Sequence, residues 1–282
     1  MFSLVEGASL SSFIFLGLAC FCAAFIDAIA GGGGLISLPA FLASGLPAHV
    51  ALGTNKIAAC CSTIASSAKF AQSGKINWTM MKKLAIFSFI GAILGVKTVV
   101  MIDSKYLYPI AIVLLLLVLI YTLHNKNLGE ENQFKELTSQ NIKYGIIMAF
   151  VMGFYDGFFG PGTGSFLIFA LIRIFKLDFT NASGNAKILN LSSNIASVIV
   201  FSYMGKVNLL YAFSMAAIMI IGATIGAKMA VTRGSKFIKP MFLIVTTIVL
   251  TKMIAESIFH IDISGLITVS YTHLTLPTIL RV

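Results

Sequence analysis

Apolar stretches close to the roughly 20 residues needed to cross hydrocarbon recur along the chain at residues 12–30, 84–101, 107–123, 142–159, 209–231 and 237–254. Two softer segments, residues 48–71 and 181–203, are rich in small and polar residues and carry interior lysines, yet each has the length of a span. The pattern predicts an all-α membrane protein of about eight transmembrane helices. Two shorter apolar pieces, residues 35–43 and 165–174, amount to half a span at about 1.5 Å per residue. They predict re-entrant or broken helices. Backbone of that kind survives at membrane depth only where protein buries it or where it lines a watery cavity.

The pattern occurs twice. Residues 51–109 align without a gap on residues 182–240 at a constant offset of 131, with 22 of 59 paired positions identical. Upstream, with a two-residue slip, Phe25-x-Asp27-x3-Gly31-x-Gly33 answers Phe154-x-Asp156-x3-Gly160-x-Gly162. The division expected is a first transmembrane repeat at 10–124, a polar linker at 125–141 and a second repeat at 142–260, with four spans per repeat. Residues 269–282, Thr-rich and without a counterpart in the first copy, read as a non-native tail. Duplicated membrane chains with glycine- or proline-broken segments at matching places suit transport, because two related halves can rock about a site at their interface. Basic residues divide between the two sides, so in/out topology stays open, as does a parallel or inverted relation of the repeats.

Composition agrees with this organisation. Hydrophobic residues make up 58% and charged residues 11%, with a mean hydropathy of +0.95, which excludes an ordinary soluble domain. The net charge of +10 comes from lysines dispersed among apolar spans, so no nucleic-acid surface is expected. Cys20, Cys22, Cys60 and Cys61 sit in helical segments as packing residues, with no spaced Cys/His set for a metal. No nucleophile stands near a base, and neither Gly-x-Ser-x-Gly nor His-Glu-x2-His occurs. An enzyme is not expected, nor a cofactor.

The candidate chemistry lies in the repeated polar features. Each copy carries an aspartate and a glycine run, Asp27 with Gly31 and Gly33, and Asp156 with Gly160, Gly162 and Gly164. A glycine-rich break before a new helix presents free N–H groups at a positive dipole end, a natural anion site. Lys56 and Lys187 stand at equivalent places in the softer spans. An ionisable group inside the membrane is costly and points to function, although snorkelling to the interface is the competing reading. Thr54, Asn55, Asn185 and Asn190, with Ser62 and Ser193, would add neutral donors. Asp27 and Asp156 fit capping or lysine pairing ahead of proton carriage. Lys97 and Lys228 read as helix-end anchors.

The run Gly31-Gly-Gly-Gly-Leu-Ile-Ser-Leu-Pro39 followed by Ala51-Leu-Gly-Thr-Asn-Lys56 resembles the TauE/SafE family of sulfite-exporter-like membrane proteins. So does Gly153-Phe-Tyr-Asp-Gly-Phe-Phe-Gly-Pro-Gly-Thr-Gly164 with Asn185-Ala-Lys-Ile-Leu-Asn190. The resemblance spans about residues 10–260. It implies a multi-pass inner-membrane protein that moves small anions, including sulfite and organosulfur compounds. The partners expected are a small-anion substrate and the lipid bilayer, with homo-oligomerisation left open. The alternative is a membrane scaffold or assembly factor without transport, which would not need a lysine and a glycine break in both halves.

Overall fold

A computed structural model of the chain describes residues 10–101, 120, 129, 131–244, 247 and 251. The described residues form eight helices: α1 (Leu10–Ala30), α2 (Gly34–Ala43), α3 (Ala48–Gln72), α4 (Trp78–Val99), α5 (Ser139–Phe158), α6 (Thr163–Phe175), α7 (Phe179–Tyr203) and α8 (Leu209–Arg233). Residues 235–244 are helical as well. Most of the span expected at 107–123, most of the 237–254 span beyond residue 244, and the 269–282 tail lie outside the described residues. Among the described residues three helices are long and apolar enough to cross a membrane on their own composition: Ser12–Ala30, Trp78–Val99 and Leu209–Arg233.

Side-chain caps set several of these boundaries. Asn77 accepts from the Met80 amide at the start of α4 and Asn208 from the Tyr211 amide at the start of α8. Thr138 caps α5 and Asp178 caps α7 in the same way. Each cap satisfies one of the orphan N–H groups of a first turn. The Thr138 cap starts α5 at Ser139, inside the stretch expected to be linker.

The main contacts run across the duplication. α4 packs on α5 and α7, and α8 packs on α1 and α3, while α3 and α7 lie against each other. Glycine permits the closest of these approaches. A Cβ on Gly91 or Gly95 of α4 would fall 2.2 and 2.1 Å from the Phe150 and Phe154 carbonyl oxygens of α5. Gly153 and Gly157 of α5 return the contact, 2.2 Å from the Ser88 and Ala92 carbonyls. At the matching place Gly222 and Gly226 of α8 meet the Phe21 and Phe25 carbonyls of α1 at 2.5 and 2.4 Å. Small residues four apart are how helices pack when lipid gives no hydrophobic drive between them. Methionines and phenylalanines fill the remaining space, with Phe41, Phe70, Met80, Phe201 and Tyr211 fully buried.

A second matched joint anchors the ends of α3 and α7. Gly53 lies under the Lys206 carbonyl and Gly184 under the Lys75 carbonyl, where a Cβ would sit 2.1 and 2.7 Å away. Beside them the Asn208 amide donates to Thr54 Oγ1 at 2.9 Å, and the Asn77 amide donates to Asn185 Oδ1 at 2.9 Å. Each copy thus holds the turn that starts the other copy's next long helix.

Candidate functional site

Both glycine runs break their helices in the middle of the bundle. α1 ends at Ala30, and Gly31 and Gly32 take φ of 74° and 88° before α2 opens at Gly34. α5 ends at Phe158, and Gly160 and Gly162 take φ of 92° and 85° before α6 opens at Thr163. The two breaks touch backbone to backbone. A Cβ on Gly31 would fall 2.3 Å from the Gly164 carbonyl carbon, and one on Gly34 would sit 3.2 Å from Pro161 Cα. Ser165 Oγ donates across the contact to the Ala30 carbonyl at 3.1 Å, and Tyr155 holds the second break by donating to the Pro161 carbonyl at 2.8 Å. The short helices α2 and α6 therefore start from one place, with both positive dipole ends at the junction.

Two buried ion pairs flank it, and each joins one copy's lysine to the other copy's aspartate. Lys56 Nζ lies 2.9 Å from Asp156 Oδ1, with the side chains 5% and 3% exposed. Lys187 Nζ lies 2.6 Å from Asp27 Oδ2, with exposures of 1% and 22%. Snorkelling is thereby excluded for both lysines. The aspartates pair, and Asp27 also caps, since its Oδ1 accepts from the Gly33 amide at 3.1 Å.

The surroundings of the two pairs differ. Lys56 also donates to Asn194 Oδ1 at 3.1 Å. Asp156 Oδ2 accepts from Ser193 Oγ at 2.6 Å and Asn190 Nδ2 at 3.4 Å. Asn194 in turn donates to Asn190 Oδ1 and Thr63 Oγ1 at 3.3 and 3.5 Å. Around the other pair α3 offers Ala59, Ser62 and Thr63 where α7 offers Asn190, Ser193 and Asn194. Ser62 and Thr63 donate to the Ala59 carbonyl of their own helix. Lys187 makes its second hydrogen bond to the Asp27 backbone carbonyl.

A cavity of about 40 Å³ opens between the breaks and the pairs, far below the roughly 300–1,000 Å³ of an open small-molecule pocket. Of the residues singled out from sequence, Asp27, Asp156, Lys56, Asn55, Ser62 and Asn190 line it, with Gly33, Gly160, Gly162 and Gly164. Asn55 is 7% exposed, and its Oδ1 has no hydrogen-bond partner. Lys187, Thr54, Asn185 and Gly31 are not in the lining. The polar atoms of Thr54 and Asn185 are taken up by the helix-start joint, and Gly31 is covered by the second break. Lys97 and Lys228 are exposed on α4 and α8, as expected of anchors.

Sequence reasoning missed Asn194 and Thr63, which also line the cavity. The signal was there: Lys187, Asn190 and Asn194 follow helical spacing on one face, and Asn194 aligns with Thr63 at the repeat offset. The structural role of Thr54 has a direct check. Thr54→Val keeps the shape and removes the acceptor, stranding the Asn208 amide at a cost of about 1–3 kcal/mol. Thermal unfolding in detergent should move down, while the half-saturating concentration for a transported solute stays unchanged.

Comparison with known proteins supplies the deciding observation, a match to the family described as Sulfite exporter TauE/SafE over residues 16–253. The chain belongs to that family. A "Probable membrane transporter protein" of Haemophilus influenzae is 37% identical over 236 residues, covering 84% of this chain and 92% of that protein. YfcA of Escherichia coli K12, also described as a probable membrane transporter protein, is 33% identical over 235 residues, covering 83% and 87%. ORF9 of a Sinorhizobium species, described likewise, is 33% identical over 242 residues, covering 86% and 92%. No solved structure matches the chain. TauE/SafE membership and these relatives support a membrane transporter, and among its described residues, whose regular elements are helices, the central junction joins two glycine breaks, two buried ion pairs and an amide-lined cavity.

Proposed function

We propose that the chain is a multi-pass inner-membrane transporter of small anions, with sulfite or an organosulfur anion as substrate and the site at the junction between the two repeats. The observation that carries this reading is the convergence of both helix breaks on one cavity that also holds a buried lysine. Lys56 supplies the charge, and the amide side chains of Asn55, Asn190 and Asn194 supply neutral hydrogen bonds to oxyanion atoms. The starts of α2 and α6 add backbone dipoles aimed at the same point. Ionisable groups placed this deep in a membrane protein mark substrate paths.

Lys187 backs the cavity through Asp27 and Gly31 through the contact of the two breaks, while Thr54 and Asn185 hold the starts of α8 and α4. The narrowness of the cavity suits one closed state of an alternating-access cycle, in which the two repeats rock against each other to admit a solute. Reconstituted protein, loaded with sulfite, thiosulfate, sulfate or small sulfonates, should exchange at least one labelled anion across the liposome membrane. If no anion of the panel moves, the scaffold reading takes its place.

A further inference from the structure

We infer, on the basis of that transport reading, that the anion crosses together with a proton and that Asp27 is the group that carries it. The inference starts from charge balance at the junction. Lys56 and Lys187 are matched by Asp27 and Asp156 at ion-pair distance, so the site as built is neutral. A monovalent anion entering a cavity of about 40 Å³ would leave one uncompensated negative charge away from water, which membrane interiors and buried sites both penalise. One proton on one carboxylate cancels it. The site then holds two ammonium groups, one carboxylate and the anion, and is neutral again.

The surroundings select which carboxylate accepts the proton. Asp156 is closed off, with one oxygen on Lys56 and the other accepting from Ser193 and Asn190. Both carboxylates line the cavity, but Asp27 is the more open, its side chain 22% exposed against 3% for Asp156. Its Oδ2 accepts from Lys187 and its Oδ1 from the Gly33 amide. The helix facing it has Ala59 where Asn190 stands in the other copy, and Ser62 donates to its own helix. When Asp27 takes a proton, Lys187 keeps its bond to the Asp27 carbonyl and stays in place as a free positive charge beside the cavity. The proton comes from a hydronium ion on the side of entry, whose O–H bond breaks as the carboxyl O–H forms, and it returns to water on the other side when the anion leaves.

The charged groups facing Asp27 are Lys187 from α7 and, across the cavity, Lys56 from α3 and Asp156 from α5. α2 carries no titratable side chain. α6 carries Arg173 in its last turn, away from the break. On α8, Tyr211 packs against Phe13, Lys228 is exposed, and Arg233 covers Phe237 in the last turn.

The test uses the full chain in proteoliposomes with a trapped pH indicator and a labelled alkylsulfonate. Such an anion stays ionised over the working range and cannot carry a proton itself. Native protein should move protons in the same direction as the sulfonate, and an imposed pH gradient, acid on the side of uptake, should raise accumulation tenfold or more. Asp27→Asn should slow exchange several-fold yet leave it measurable, and should abolish the response to the gradient. Sulfonate flux without proton movement, driven by membrane potential or sodium, overturns the inference and leaves the transport reading standing. Proton-driven accumulation that survives Asp27→Asn overturns the assignment to Asp27. Absence of exchange by the sulfonate and by every other anion of the panel would remove the transport reading and the coupling with it. The proton-flux measurement needs no variant, so a folding defect in Asp27→Asn cannot rescue the idea.

Discussion

Lys56→Met should abolish anion transport and at the same time cost the protein much of its stability. A lysine that faced its substrate unpaired would give a milder outcome, lost affinity with normal folding. The geometry changes that expectation. Lys56 neutralises Asp156, whose side chain is 3% exposed, and breaking a buried ion pair by removing one partner costs about 3–5 kcal/mol. Methionine fills the space of the stem but leaves the carboxylate and the Asn194 carbonyl oxygen without their cation. Melting of the detergent-solubilised protein should fall sharply. Lys56→Met/Asp156→Asn, which removes both charges, should recover most of the stability and none of the transport. If the double variant transported near the native rate, Lys56 would be a structural cation only.

Gly31→Ala should leave almost no folded protein, and Gly74→Ala provides its control. Both glycines have positive φ, 74° and 65°, where an L side chain costs roughly 1–2 kcal/mol. They differ in what a Cβ would meet. At Gly74 nothing lies within 4 Å, so that variant should show the backbone penalty alone, a shift of a few degrees in melting temperature. At Gly31 the Cβ would fall 2.3 Å from the Gly164 carbonyl carbon and 2.4 Å from the Ser165 amide nitrogen. Those are backbone atoms of the opposite break and cannot swing aside. The two breaks would have to separate, taking the Ser165–Ala30 hydrogen bond with them. The yield of monodisperse protein on size exclusion measures the difference. Equal yields from the two variants would mean that the breaks do not rely on contact with each other.

Much of this arrangement was legible along the chain because its causes are local. Hydropathy placed α1, α5 and α8 to within three residues and started α4 six residues late, and the glycine runs marked both helix breaks. The aspartate and lysine types stood out because a charge among apolar residues needs a reason. Partner choice was not legible. Lys56 and Asp156 belong to different copies, as do Lys187 and Asp27, and nothing in a residue's neighbours states which of two equivalent acids it will meet. Thr54 and Asn185 were drawn into the candidate site by standing two residues before the lysines. On a helix that spacing points them to another face, where they hold turns of the other copy. Asn194 went unnoticed for the complementary reason: it lies seven residues beyond Lys187, far in sequence and adjacent on the helix face.

The exchanged lysines also bear on how the protein is made. A ribosome delivers the first copy to the membrane before the second exists, and at about 5–20 residues per second the acid that neutralises Lys56 follows about a hundred residues later. For roughly 5–20 s the nascent first copy carries Lys56 without its native partner, with only Asp27 of the same cavity to answer its charge, and an α4 with neither α5 nor α7 to lie against. Insertion of that half is therefore provisional. The insertion machinery, or water held at its edge, must shelter α3 until α5 arrives, and the chain commits to its final place in the bilayer only once Asp156 has entered.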